Sequence, residues 1–189
     1  GEASPGGDDP ERRAGDRRAS DAPPAIVAEL VTEIARTEAL LRRLPADQLD
    51  WSPHPSLPSL RMLSRRLIRI VARIRWMIEL ESVEASFEPD LPTLDSLTDI
   101  TNTFHASAAS AGDIATVLTG AALREAWTLE RDGETVVQIA RGDALREFGL
   151  RPLVYHQAEI ALLLASMGLD VPHPYGRWPF AEASPRPWA

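Results

Sequence analysis

Cysteine is absent from the 189 residues of this chain. Its absence excludes a disulfide, a thiolate nucleophile and any zinc or iron–sulfur site built on thiolates. A bound metal would have to take histidine and carboxylate ligands. The same absence fits a cytoplasmic protein. Long apolar runs are missing too. No stretch approaches the ~18 uncharged apolar residues of a membrane span, and the opening residues lack the basic and apolar regions of a secretory leader. Positive charge is in short supply. Twenty Lys and Arg residues face 28 Asp and Glu, for a net charge of -8 and a pI of about 5.0. Nucleic acid is therefore not expected as a partner, because phosphate binding runs on a basic surface. The chain has no internal repeat, no phosphate-binding glycine loop, no GxSxG and no HExxH. It also lacks the Glu-x-x-His that di-iron bundles carry on two helices.

What is present suits a globular domain. The chain is 44% hydrophobic and 25% charged, which supplies a real core. Residues 1–22, rich in Gly, Pro, Asp and Arg, are predicted to form a disordered tail, because they bury too little apolar surface to offset ordering entropy. Residues 177–189 form a Pro- and Trp-rich tail that could anchor on the body. The body, 23–176, reads as four helices. The first spans about 24–44, with Val27, Leu30, Ile34, Leu41 and Leu44 on one stripe. The second spans about 59–83, N-capped by Ser59; Leu63, Leu67, Ile70, Val71, Ile74, Met77 and Ile78 form its apolar face. The third spans about 94–118, with Leu97, Ile100, Phe104, Ala111, Ile114 and Leu118 in phase. The fourth spans about 144–167 and closes at Gly168, with Pro152 either starting it or kinking it. Before it, EAWTLERDGETVVQIA reads as a hairpin turning at Asp132-Gly133, packed on the helices because a lone hairpin is marginal in water. The economical fold is all-α: a four-helix bundle with a small β-hairpin-like insert before the last helix.

Few residues on this plan carry chemistry. Leu153, Ile160, Leu164 and Met167 share one face of helix four, and His156 lies among them. Glu159, its i+3 neighbour, sits at the border of that face. So His156 is expected to point into the interior. It reads as a hydrogen-bonded core residue, or as a ligand or catalytic group. Helix two carries Arg61, Arg65, Arg66, Arg69, Arg73 and Arg75, mostly on a solvated face. Arg66 and Arg73 fall at the edge of the apolar stripe. A partly buried arginine needs an acidic partner or an anion, and Glu159 is one such partner for Arg66. His54, His105 and His173 read as ordinary surface or loop residues, and Glu29, Glu33 and Glu38 as a solvent face.

The stretches LPADQLDWSPHPSLPSLRMLSRRLIRI and YHQAEIALLLASMGLDVPHPYG resemble the opening and closing motifs of the DinB/YfiT-like family of metalloenzymes, over about residues 24–176. The resemblance implies a compact bundle, often a dimer. It also implies a divalent metal such as nickel or zinc, held by one histidine on helix two and two on helix four. Characterised members include transferases and isomerases that use bacillithiol, mycothiol or glutathione. Carried onto this chain, the helix-two position, seven residues after Ser59, is Arg66. The helix-four pair is Pro152 and His156. Only His156 is retained from the ligand pattern, so no metal and no cofactor are expected, and Arg66 stands where the cation's charge would be. The resulting expectation is a cytoplasmic homodimer with a degenerate metal site. It binds a small molecule in the interhelix cavity, in a role connected with stress, with His156, Arg66 and Glu159 as pocket residues. An alternative is an enzyme, either a thiol-dependent transferase or isomerase, or a metal-free acid–base catalyst using His156 and Arg66. Imidazole suits such work at neutral pH. A third reading is an interaction module whose pocket has filled in.

Overall fold

The computed structural model describes residues 24–171. The expected helical stripes form helices. α1 is Ala25–Leu41, α2 is Leu60–Glu79 and α3 is Leu97–Ala115. α4 is a helical run in three pieces: an α-turn Arg141–Ala144, a π-helical segment Leu145–Leu150, and the α-helix Arg151–Ser166. Ser59 caps α2 by accepting from the Met62 N–H. Ser96 caps α3 in a reciprocal capping box with Asp99, a signal the sequence reading passed over. The expected apolar residues of α1 and α2 are buried in one core, shared with Ile100 and Phe104 of α3 and Leu153, Ile160 and Leu164 of α4. α2 lies at the centre, with α3 and α4 packed along it. Among the described residues, no helix is long and apolar enough to cross a membrane.

The all-α expectation is overturned by a three-stranded mixed sheet. The hairpin forms as predicted. β2 (Ala126–Arg131) and β3 (Glu134–Ala140) pair antiparallel around Asp132 and Gly133. Both turn residues have positive φ, 54° and 79°, as a two-residue hairpin turn of this hand requires. The unforeseen element is β1 (Ser82–Glu84), which pairs parallel to β2, Val83 opposite Leu129. The sequence placed these residues at the end of helix two. α2 instead stops at Glu79, with Leu80 extended. Its last carbonyls are capped by a distant side chain, since Arg141 Nη1 donates to Met77 O at 2.7 Å, Ile78 O at 3.0 Å and Leu80 O at 2.7 Å. The chain then turns out to extend the hairpin by a strand. Trp127, 1% exposed, docks the sheet on the helices and meets the Phe148 ring at a centroid distance of 5.8 Å.

Pro152 stands in the first turn of the α-helical piece Arg151–Ser166, as the sequence allowed, but the helical run continues ahead of it as a π segment. A proline inside a helix removes an N–H, and its ring clashes with the carbonyl four residues back, here that of Phe148. The turn before it widens to π spacing, which accommodates that carbonyl. The same segment carries Gly149, buried against α2. A Cβ there would stand 3.2 Å from Ile74 Cγ1, so the helices approach closely where α4 changes its winding.

Candidate functional site

A cleft of about 400 Å³ opens between α2, the π segment and start of α4, and the β1–β2 side of the sheet. α2 contributes Arg66, Arg69 and Arg73 from one face, since residues three, four and seven apart align on a helix, together with Ile70 and Met77. α4 contributes Phe148, Pro152 and His156, and the sheet contributes Val83, Glu84, Trp127 and Leu129. The segment after β1 closes one side with Ala85, Phe87 and Glu88. Phe87 is pinned there by the Trp76 ring, 4.2 Å away between centroids.

His156 is 17% exposed at its side chain, with Glu159 at 29%. Its Nδ1 lies 2.5 Å from Glu159 Oε2. A carboxylate only accepts, so Nδ1 carries the proton, and Nε2 is the ring's remaining polar atom at the cleft wall. Tyr155 packs edge-on against the imidazole at 5.2 Å. Glu159 is not part of the cleft lining; it acts on the site through His156.

Two expectations about the arginines are corrected. Arg66 is exposed, not partly buried, although it lines the cleft. The expected Arg66–Glu159 pair does not form; Glu159 Oε2 instead meets His156. Arg73, half-exposed, pairs with Glu88 at 2.6 Å. Arg69 Nε lies 3.1 Å from the other oxygen of the same carboxylate. Elsewhere on α2, Arg61 grips Asp50 through two bonds of 2.7 and 2.8 Å, and Arg75 pairs with Glu79 at 2.8 Å.

The other histidines lie away from the cleft. His54 bonds Ser56 in an exposed loop at 2.7 Å, and exposed His105 meets Glu38 at 3.0 Å. His173 and the two tails lie outside the described residues. Of the glutamates expected to face solvent, Glu29 is exposed and pairs with Arg146. Glu33 is instead 7% exposed, drawn in beside a buried polar link. In that link Gln157 of α4 donates to Thr37 Oγ1 at 2.6 Å and Glu33 O at 3.0 Å.

The three positions that the resemblance assigns to metal ligands, 66, 152 and 156, all line this cleft. Their chemistry does not fit a divalent cation. Arg66 offers donors and a fixed positive charge, Pro152 has no ligating atom, and one imidazole remains where catalytic zinc sites use three protein ligands. Among the described residues, no three His, Cys, Asp or Glu side chains gather as metal ligands would. No family model matches the chain, and no curated protein is significantly similar to it.

Proposed function

We propose that this protein is a DinB-like domain whose site uses arginine where the family uses a metal, and that it binds a small molecule in the cleft between α2, α4 and the sheet. The observation that supports this reading is a convergence. Positions 66, 152 and 156 were picked out by counting along sequence motifs, on two helices distant in the chain, and all three line one cleft. The cleft's volume falls in the range of about 300–1,000 Å³ typical of small-molecule sites. Its walls combine an apolar floor with a few charged groups, as such sites do. A pocket filled by its own side chains, which the interaction-module reading requires, does not match a cleft of this size.

The test is ligand-observed NMR of a fragment library with the full chain, repeated on Ala85→Trp. Ala85 lines the cleft, so the larger side chain fills it. Fragments that bind the parent protein and are lost in the filled variant are the expected result. Binding that survives the filling, or no binding to the parent, contradicts the reading.

A second reading, catalysis, is favoured by the His156–Glu159 pair. Glu159 fixes the imidazole so that Nε2 is the atom available to take a proton from a bound nucleophile, the usual role of an oriented histidine. Arg66 is positioned to meet negative charge developing nearby. Bacillithiol, mycothiol or glutathione incubated with 1-chloro-2,4-dinitrobenzene tests this reading. His156 would take the thiol proton, sulfur would bond to the ring carbon, and chloride would leave. Turnover above background that His156→Ala removes supports an enzyme; equal rates in both proteins contradict it.

A further inference from the structure

Among the described residues, two buried side-chain polar atoms have no hydrogen-bond partner: Arg69 Nε and Trp127 Nε1. Both residues line the cleft, and both atoms are donors. A buried donor left unpaired costs about 1–3 kcal/mol, so native folds keep few of them, and each calls for an explanation. Arg69 Nε has Glu88 Oε2 within 3.1 Å, yet its N–H is not aligned on that oxygen.

The charges around the cleft are unevenly matched. Glu88 is shared between Arg69 and Arg73. Glu84 turns its carboxylate to the hairpin turn, where Oε1 accepts from the Asp132 N–H at 3.2 Å. His156 is committed through Nδ1 to Glu159. Arg66 has no hydrogen bond or ion pair to any described residue. The Arg66 guanidinium is therefore left unneutralised at a cavity otherwise walled by Ile70, Met77, Val83, Leu129 and Phe148, and two unpaired donors lie buried within residues of its wall.

We infer that the cleft takes a small amphipathic carboxylate, with its head group on the Arg66 guanidinium and an aromatic or branched apolar body over Ile70, Met77 and Phe148. This inference rests on the cleft being the binding site. A wall that offers donors calls for a ligand that offers acceptors, and an ionised carboxylate is acceptor-only. The guanidinium fork matches a carboxylate through two parallel bonds. Three arginines against the two lining carboxylates, Glu84 and Glu88, leave one net positive charge, which a monoanion balances and a phosphate dianion exceeds. Cationic ligands meet three arginines.

The experiment is calorimetric titration of the full chain with 3-phenylpropionate and with its neutral amide, 3-phenylpropanamide. Both titrations are repeated on Arg66→Gln. Arg66 is exposed, so the variant keeps its fold, which an unchanged Tm verifies. In the parent protein the acid should bind at least about tenfold tighter than the amide, as a charge-assisted pair predicts. In Arg66→Gln that gap should close, with the amide's affinity unchanged. If acid and amide bind the parent equally, the cleft stands as a binding site and the carboxylate assignment falls. If neither binds, both fall. A gap that persists in Arg66→Gln overturns the role given to Arg66.

Discussion

Arg141 Nη1 donates to three carbonyls at the end of α2 while its side chain is 5% exposed. No periodicity flags such a residue, because its partners are backbone atoms more than sixty positions away. The same property makes it costly to lose. Arg141→Ala leaves the Met77 and Ile78 carbonyls buried and unpaired, and should lower unfolding free energy by about 2–5 kcal/mol, at about 1–3 kcal/mol for each buried group left without a partner. Urea denaturation measures it, and a loss below about 1 kcal/mol, the scale of an ordinary surface change, contradicts the capping role. His156 and Arg66 were legible from the sequence, one by its place on an apolar face and the other by its count from Ser59. The partner of Glu159 was legible only in part. The i+3 spacing put His156 beside Glu159 and the partly buried place expected for Arg66 made it a second candidate; the structure gives the carboxylate to His156. Trp127 and Glu88, which help shape the cleft, carried no signal of their own. Each acquires its role through pairing across the sheet or across the helix, which one chain segment does not encode.

Helices were legible because their apolar residues repeat over four to six turns, long enough to fix the phase. β1 was not, because a strand of three residues with one apolar side chain, Val83, is too short to show an alternation. The π segment before Pro152 was likewise hidden, since a proline marks disturbance without saying whether the helix ends or widens. Helix starts are testable at this scale. Ser96→Ala removes the cap of α3 and should cost about 1 kcal/mol. The Ser96 hydroxyl, then its backbone N–H, hold the Asp99 carboxyl below its ordinary range. The hydrogen bond from Arg61 does the same for Asp50. A carboxyl lowered in the folded state binds its proton less readily there than in the unfolded chain. Its contribution is therefore complete above the unfolded value, about 3.9, and is lost as pH falls towards the lowered folded value. Urea midpoints should hold steady between pH 7 and about pH 5 on account of these groups, then fall below about pH 4. Asp99→Asn should flatten part of that fall, and an identical acid profile in the variant contradicts the assignment.

For the molecule as a whole, the sheet matters as more than an addition to the helices. It supplies the wall that turns a groove beside α2 into a cleft, and it carries Trp127 with its unpaired donor. In the reading proposed above, a DinB-like ancestry would account for positions 66, 152 and 156 lining one cleft. If the account is right, the cleft keeps the geometry of a metal site and lacks its donors. Restoring the donors should then restore metal, because Arg66→His with Pro152→His would set three imidazoles around one point. The decisive measurement is the elemental metal content of the purified parent chain, of this double variant and of His156→Ala, after incubation with nickel or zinc and desalting. The account predicts below about a tenth of an equivalent in the parent and about one equivalent in the double variant, since three protein ligands hold a catalytic zinc and one does not. About one equivalent in the parent, lost in His156→Ala, would contradict it and would mean that the cleft holds a cation through His156 and ligands other than those named here.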